Sequence, residues 1–214
     1  MGEQVVGRRE RKKRATHAAL SEAALRLCSE HGLDNVTVER IAEEADVALR
    51  TFFNYFSSKE EAVVAGDAAD AAALVEAFRE RPEHEPVVEA LRHAVHSVLG
   101  ADGYQERAAR VHALRQSESL LPFQIAALVQ QEKALAHAVS VRAGSGPAPD
   151  LYPALVAAGT MAGLRVAVHH WISESGTPAP PALAALADAA LAQFAAGLAV
   201  RTPAPLAGSR PGSA

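Results

Sequence analysis

The basic side chains near the start of the chain are grouped closely enough to bind phosphate. Six of the seven residues from 8 to 14 are arginine or lysine, and Glu10 is the one interruption. Such a cluster neutralises nucleic-acid phosphates and releases their counterions. The rest of the chain is acidic, since the formal net charge is −4. We therefore predict a phosphate-binding arm on an acidic body, and a solvated tail is the alternative interpretation.

A second group of side chains with binding chemistry lies in the segment from Leu49 to Phe56. Four polar side chains stand there beside aromatic ones: Arg50, Thr51, Asn54 and Tyr55. Phe52 and Phe56, four residues apart, fall on one face of a helix, which leaves polar side chains for the other face. Arginine is suited to a bidentate hydrogen bond with guanine. The segment therefore predicts a short helix that reads bases in a major groove.

Neighbouring helices must hold this segment in place, and the sequence marks where they begin and end. Apolar residues at helical spacing predict a first helix over 15–30. Thr37 is a good N-cap for a second helix, and a turn over 46–48 separates that helix from the third. Ser57, with a glutamate three residues later, predicts a capping box for a fourth helix. Helix, tight turn and helix in this order form the helix-turn-helix motif.

The same residues carry a resemblance to a known family. The run VTVERIAEEADVALRTFFNYFSSKEEAV resembles the helix-turn-helix of the TetR family of bacterial transcription regulators. It departs from the family pattern where Asp46, Ala48 and Phe53 replace glycine, serine and tyrosine. The segment RTFFNYF is similar to an actinobacterial branch that includes regulators of mycofactocin-type gene clusters. The matching residues are Thr37, Val38, Ile41, Ala42, Ala45, Val47, Thr51, Phe52, Phe56, Ser58, Lys59 and Glu60.

The resemblance implies which residues touch double-stranded DNA. Leu49 and Arg50 would read bases, and the residues that follow them would lie against base edges or sugar. Phosphate contacts from Thr37, Tyr55 and Lys59 would fix the register without reading sequence. The full set of expected contacts is Thr37, Arg40, Leu49, Arg50, Thr51, Phe53, Asn54, Tyr55 and Lys59.

Prolines and glycines that break the helical pattern at intervals predict a series of further helices as far as residue 200, and no strand pattern occurs among them. Together with the resemblance, this predicts an all-α chain of nine helices with TetR-like architecture. We expect a basic arm over 1–14, a three-helix DNA-binding domain over 15–65 and a helical ligand-binding and dimerisation domain over 66–201. A tail over 202–214, rich in proline, glycine and serine, is expected to be disordered.

The last two predicted helices, over 151–173 and 182–200, are too apolar to face water on all sides. Small residues on the first of them would let another helix approach closely. We therefore predict a two-fold interface, because a homodimer places two DNA-binding units on a palindromic operator. The expected interface residues are Gly159, Gly163, Ala167, Leu186 and Ala190.

Large apolar residues with a few polar groups among them predict a ligand pocket in the middle helices. Such a lining suits a lipophilic small molecule as effector, and an ordinary core is the alternative interpretation. The expected pocket residues are Phe78, His112, Arg115, Gln116, Phe123, Met161, Arg165 and Trp171.

The sequence also lacks several kinds of site. It has one cysteine and no established metal-ligand spacing, phosphate loop or nucleophile motif, so we expect no metal, cofactor or catalytic site. Neither a signal peptide nor a membrane span is expected, and the cytoplasm is the predicted compartment. We therefore predict a ligand-responsive DNA-binding regulator, most simply a repressor. The alternative is an all-α enzyme or lipid carrier with a vestigial DNA-binding unit.

Overall fold

The computed structural model describes residues 2–114, 117–144, 151–174 and 180–197. These ranges form nine α-helices and two short 3₁₀ turns, and they contain no β-strand, which confirms the all-α prediction. The α-helices are α1 (Gly2–His31), α2 (Val38–Glu44), α3 (Leu49–Phe53), α4 (Lys59–Arg79), α5 (Val87–Leu99), α6 (Tyr104–Leu114), α7 (Leu121–Ala143), α8 (Tyr152–Glu174) and α9 (Pro180–Ala195).

Helices α1, α2 and α3, which we call the head, pack around a small apolar core. Leu20, Ile41 and Phe52 come one from each helix, and all three are fully buried. Val36 is also buried, so it and Ile41 fill the two positions of a hydrophobic staple at the start of α2. The first turns of α4 close this core with Ala62 and its neighbours.

The helix caps of the head agree with the sequence at α2 and differ by one residue at α4. The Thr37 hydroxyl accepts a hydrogen bond from the Arg40 backbone N–H at 3.3 Å, as predicted. At α4 the N-cap is Ser58, not Ser57, and the Ser58 hydroxyl accepts from the Glu61 backbone N–H at 3.2 Å. The Glu61 carboxylate accepts in turn from the Ser57 N–H and hydroxyl, both at 2.7 Å. The prediction was ambiguous because both serines have a glutamate three residues later.

Helix α1 is longer than the sequence predicts. It begins at Gly2 rather than near residue 15, so the basic cluster forms its first turns instead of a separate arm. The basic side chains at position 9 and over 11–14 are exposed. Hydrophobic spacing could not predict this extension, because a stretch of charged residues has no apolar face.

Helix α4 joins the head to the body, which is the name we give to the bundle of α4 to α9. At its start α4 packs on α1, and farther along it packs on α5 and α7. Leu74 and Phe78 of α4 enter the body core, to which α5, α7, α8 and α9 also contribute. Within the body, α8 and α9 pack against each other more extensively than any other pair of helices.

The loop between α4 and α5 is held by one side chain from α7, the guanidinium of Arg142. This group also lies over the Phe78 ring, 4.7 Å from its centroid. It donates hydrogen bonds to four backbone carbonyl oxygens, those of Pro82 (2.6 Å), Arg81 (2.7 Å), Phe78 (2.9 Å) and Glu85 (3.4 Å). One cation thus ties the last turn of α4 to the loop that follows it.

Candidate nucleic-acid interface and ligand cavity

Helix α3 presents a mixed polar and apolar face to solvent. Phe52 is fully buried beneath it, so the opposite side of the helix turns outward. Leu49 and Phe53 are 38% and 55% exposed on that side, and Arg50 and Asn54 are exposed next to them. These four side chains form two pairs at i,i+4 spacing, one apolar and one polar. The face therefore offers both hydrogen-bond donors and apolar surface.

The turn before α3 sets the direction of this helix. Asp46 has a φ of 52°, a left-handed conformation that glycine usually adopts and that aspartate tolerates better than most residues. Ala48 is the N-cap of α3 and makes no side-chain hydrogen bond there. The first turn of α3 therefore lacks a side-chain cap, and Thr51 within it is half-buried.

Three other expected DNA contacts lie close to α3 or at the start of α2. Thr37 and Arg40 are exposed, and the Arg40 guanidinium lies 2.8 Å from Nε2 of His31. Tyr55 is half-buried just after α3, and its ring meets the His17 ring edge-on with 6.2 Å between centroids. Burial lowers the pKa of His17 more than the nearby charge of Glu61 raises it.

Lys59 is turned away from the exposed face of α3. Its ammonium donates hydrogen bonds to the backbone carbonyls of Leu33 and Val36, at 2.6 and 3.0 Å. These carbonyls belong to the turn that connects α1 to α2, so Lys59 ties the start of α4 to that turn. This geometry differs from the phosphate contact that the family resemblance implies for Lys59.

A cavity of about 430 Å³ lies in the body, among α4, α5, α6, α7 and α8. Of the residues that the sequence predicts for a pocket, Met161 and Arg165 line it. Most of the other lining side chains are aliphatic. The polar ones are Asp70, Tyr104, Gln124, Gln131 and Arg165.

Asp70 on the cavity wall is joined to α6 by an ion pair. Its carboxylate accepts a hydrogen bond from the Arg107 guanidinium at 2.7 Å. Burial raises the pKa of Asp70, and the hydrogen bond and charge of Arg107 act against that shift. One turn later on α6, Arg110 pairs with Glu22 of α1, also at 2.7 Å. Helix α6 therefore contacts α4 and α1 through charges, and lines the cavity through residues such as Val111.

Three of the large residues predicted for the pocket lie elsewhere. Phe78 and Trp171 are buried in the body core, and neither lines this cavity. Phe123 lines a second cavity, of about 670 Å³, between α1, α4 and α7. Apolar residues at helical spacing show that a helix face is covered, but they do not show whether a core or a cavity covers it.

Of the polar residues that were predicted for the pocket and that the structure describes, Arg165 lines the cavity and His112 does not. His112 is half-buried on α6, with its ring centroid 5.3 Å from that of His169 on α8, and it does not line the cavity. Arg115 and Gln116 lie outside the described residues.

The sequence analysis missed most of the residues that line the 430 Å³ cavity. Aliphatic side chains of this kind occur in every amphipathic helix, so no local signal marks them. Asp70 is different, because it is one of two aspartates, with Asp67, on an alanine-rich stretch of α4, and that contrast could have been noticed. The missed residues are Val64, Asp70, Ala71, Leu74, Val95, Val98, Leu99, Tyr104, Ala108, Val111, Leu121, Gln124, Ile125, Ala127, Gln131, Leu164 and Val168.

The small residues of α8 lie against α9 of the same chain. A Cβ atom added at Gly159 would overlap the Phe194 ring, and one added at Gly163 would lie 3.3 Å from Cβ of Ala190. These positions were expected to meet a partner subunit. A stripe of small residues shows where a helix approaches closely, but it does not show which chain supplies that helix.

The surface that α8 leaves uncovered is a different one. Ala167 is buried, and the half-buried Leu186 packs against the body core of the same chain. Leu155 and Val166 of α8 are instead 60% and 52% exposed. Their spacing places them on one side of α8, which forms an apolar strip on the outside of the body.

Within the four described ranges, no group of three or more histidine, cysteine, aspartate or glutamate side chains is arranged to hold a metal ion. None of the helices in these ranges is long and apolar enough to cross a bilayer. The thiol of Cys28 is buried in the head core, and burial raises its pKa to about 11.

Two family models match the chain. The model for bacterial regulatory proteins of the tetR family matches residues 20–65, which include the C-terminal part of α1, all of α2 and α3, and the first turns of α4. The model for the MftR C-terminal domain matches residues 85–199, which is more than half of the chain.

Proteins similar in sequence have described functions. The HTH-type transcriptional regulator TcmR of Streptomyces glaucescens is 32% identical, over 80% of this chain and 79% of its own length. The putative mycofactocin biosynthesis transcriptional regulator MftR of Mycobacterium tuberculosis is 28% identical, over 83% of this chain and 90% of its own length.

Solved structures share the fold at lower sequence identity. The fatty acid degradation regulator FadR of Bacillus halodurans has a TM-score of 0.61 at 22% identity, over 87% of this chain and 97% of its own. The repressor FadR of Thermus thermophilus, in complex with lauroyl-CoA, has a TM-score of 0.56 at 22% identity, over 88% of this chain and 98% of its own.

Proposed function

The chain belongs to the TetR family of bacterial transcription regulators, and on this basis we propose that it is a homodimeric repressor that a lipophilic effector releases from a palindromic operator. The similarity to MftR agrees with the branch that the segment RTFFNYF indicates. One observation carries the proposal: an exposed α3 face and an apolar cavity occur in one chain, with α4 and α6 between them. A regulator of bacterial DNA acts in the cytoplasm.

The exposed face of α3 is the part of the head that enters the major groove. Arg50 donates to a guanine edge, and Thr51, Phe53 and Asn54 lie against neighbouring bases or sugars. Thr37, Arg40 and Tyr55 bind phosphates on either side. The basic first turns of α1 add affinity for any DNA sequence, because their charge neutralises phosphate.

The cavity accepts a lipophilic effector. A volume of about 430 Å³ is within the range of small-molecule sites, and its mostly aliphatic wall disfavours a strongly hydrated ligand. The few polar groups on the wall, Asp70 and Arg165 among them, orient the ligand. The complex of Thermus thermophilus FadR with lauroyl-CoA gives general support, since that repressor shares the fold.

Helices α4 and α6 connect the effector to the head. Both line the cavity, and the Asp70–Arg107 pair links them there. The Glu22–Arg110 pair links α6 to α1 in the head. A ligand that displaces α6 or α4 therefore changes the position of the head, and it lowers operator affinity to the extent that it prefers the displaced state.

A second copy of the chain covers the apolar strip on the outside of α8. Leu155 and Val166 are large apolar side chains that are more than half exposed on the outside of the body. Exposed alanines of α9 lie at positions 185, 189 and 192, and an exposed apolar surface of this kind suits a protein partner. Two-fold symmetry about this strip presents two α3 helices to the two halves of a palindrome.

Operator binding is the first test. Purified protein is incubated with DNA from upstream of its own gene, and the bound site is located by footprinting and measured by fluorescence anisotropy. We expect Arg50→Ala to lower affinity for that site by about 1–3 kcal/mol and to relax its sequence preference. Arg92→Ala removes a half-exposed arginine from α5 and serves as the matched control.

The alternative function has a distinct outcome. A lipid carrier or enzyme with a vestigial head would bind lipophilic ligands but show no preference for any DNA sequence. A protein that coats DNA without specificity would show strong salt dependence and equal affinity for operator and random DNA. Either result would contradict the proposed repressor.

A further inference from the structure

The apolar pair on α3 has no use in phosphate binding. Leu49 and Phe53 expose 38% and 55% of their surface on the helix face that also carries Arg50. Phe53 has no hydroxyl, although the family pattern given above has tyrosine at this position. A phenyl ring cannot donate a hydrogen bond to a phosphate oxygen, so this chain has replaced a polar group by an apolar one at its DNA-binding surface.

The position of the Phe53 ring is defined by packing from below. Its ring meets that of the buried Phe52 nearly at right angles, at 84°, with 5.6 Å between centroids. An edge-on contact of this kind is favourable for aromatic pairs. Phe53 therefore stands on the outer face of α3 as a supported apolar group.

The edges of the bases in the major groove offer one apolar group, the C5-methyl of thymine. Leu49 and Phe53 are four residues apart, which is about 6 Å along a helix and about two base-pair steps of 3.4 Å. Building on the proposed function, we infer that the Leu49–Phe53 pair recognises thymine methyl groups, and that each operator half-site has thymine next to the guanine bound by Arg50.

Deoxyuridine provides the test, because it pairs like thymidine and lacks the methyl group. Sites are first selected from a random DNA pool with the full-length protein. Each thymine of the selected site is then replaced by deoxyuridine, and affinity is measured by fluorescence anisotropy. We expect a loss of about fourfold per half-site at the contacted thymine, which is the effect of one buried methyl group.

Variants show which side chain makes the contact. Phe53→Ala should bind the unmodified site more weakly and should no longer distinguish thymidine from deoxyuridine at that position. Phe53→Tyr keeps the ring and should keep the discrimination. Leu49→Ala tests the second contact in the same way. Val88→Ala is the matched control, because Val88 of α5 is also 38% exposed and lies outside the head.

The outcomes separate this inference from the proposed function. A selected site that tolerates deoxyuridine at every thymine, or that loses affinity equally with wild type and with both alanine variants, overturns the inference and leaves the repressor proposal standing. A pool with no enriched sequence overturns the repressor proposal and the inference with it. Circular dichroism of each variant verifies that the helical fold is intact.

Discussion

Lys59 illustrates how a residue in a well-known motif can have its main contacts inside the protein. Its ammonium donates hydrogen bonds to the backbone carbonyls of Leu33 and Val36, in the turn between α1 and α2. A hydrogen bond from a charged donor contributes about 1.5–3 kcal/mol, more than most neutral ones. The principal effect of Lys59 should therefore be on the stability of the head.

Replacing Lys59 by methionine tests this role. We expect the free energy of unfolding to fall by about 1–3 kcal/mol, because two carbonyls lose their charged partner. Urea unfolding without DNA measures the change. Lys12→Met, on an exposed turn of α1, is the matched control and should change stability by less than about 0.5 kcal/mol. Unchanged stability together with weaker DNA binding would favour the phosphate contact instead.

Because of Cys28, the free energy of unfolding should change with pH in the alkaline range. Burial raises its folded-state pKa from 9.0 to about 11, so between these values the unfolded chain loses a proton that the folded chain retains. The contribution of the protonated thiol to the free energy of unfolding is fully present below pH 9. It decreases by on the order of 2 kcal/mol as the pH rises toward 11. Urea midpoints from pH 8 to pH 11 measure this.

Other groups also titrate in that range, so the comparison needs Cys28→Ala. This variant should be less stable at pH 8, because it leaves a small cavity, but its stability should fall less steeply between pH 9 and pH 11. Equal slopes for the two proteins would show that the thiol is not responsible.

At the scale of the helices, the contact between α8 and α9 depends on Gly159. The Phe194 ring occupies the space that a larger side chain would need. We expect Gly159→Ala to lower stability by about 1–3 kcal/mol through overpacking. Thermal or urea unfolding measures the loss. Gly7→Ala on α1 has open space around it and should not destabilise the protein.

A double variant identifies the cause. In a Phe194→Ala background the space above Gly159 is free, so Gly159→Ala should then cost little. The difference between the two backgrounds gives the coupling between the two positions. A Gly159→Ala cost that is the same in both backgrounds would show that Phe194 is not the obstacle.

Structural features that depend on residues close in sequence could be predicted, whereas features that depend on residues far away in sequence could not. The N-cap at Thr37 depends on the next few residues, and it was predicted correctly. Ser57 was predicted as the N-cap of α4, and the structure has Ser58 there; the same sequence pattern fits both serines. Phe78 was placed in a pocket, because the residues that surround it in the body core come from helices far away in sequence, among them Arg142 more than sixty residues later.

At the scale of the whole molecule, assembly should depend on the apolar strip of α8. We expect wild type to sediment as a dimer at micromolar concentration. Leu155→Arg should weaken the dimer at least about 30-fold, because two-fold symmetry would bury two like charges close together. Specific operator binding should weaken too, although α3 is unchanged.

Val141→Arg is the matched control for this change. Val141 is 70% exposed, more than Leu155, and it belongs to α7, whereas the strip is formed by α8. Both variants therefore add one arginine at an exposed apolar position. A wild type that sediments as a monomer, or a Val141→Arg variant that dissociates as much as Leu155→Arg, would contradict the assignment of the interface.

The bonds of Arg142 also have a consequence for the order in which the protein is completed during synthesis. The carbonyls of the α4–α5 loop leave the ribosome about sixty residues before the guanidinium that they accept from. Until α7 has been translated and docked, the loop lacks these charged hydrogen bonds and has only local ones, such as that from the Glu85 N–H to the Pro82 carbonyl. A nascent chain can form the head early, whereas the body becomes a closed unit only after residue 142 has emerged.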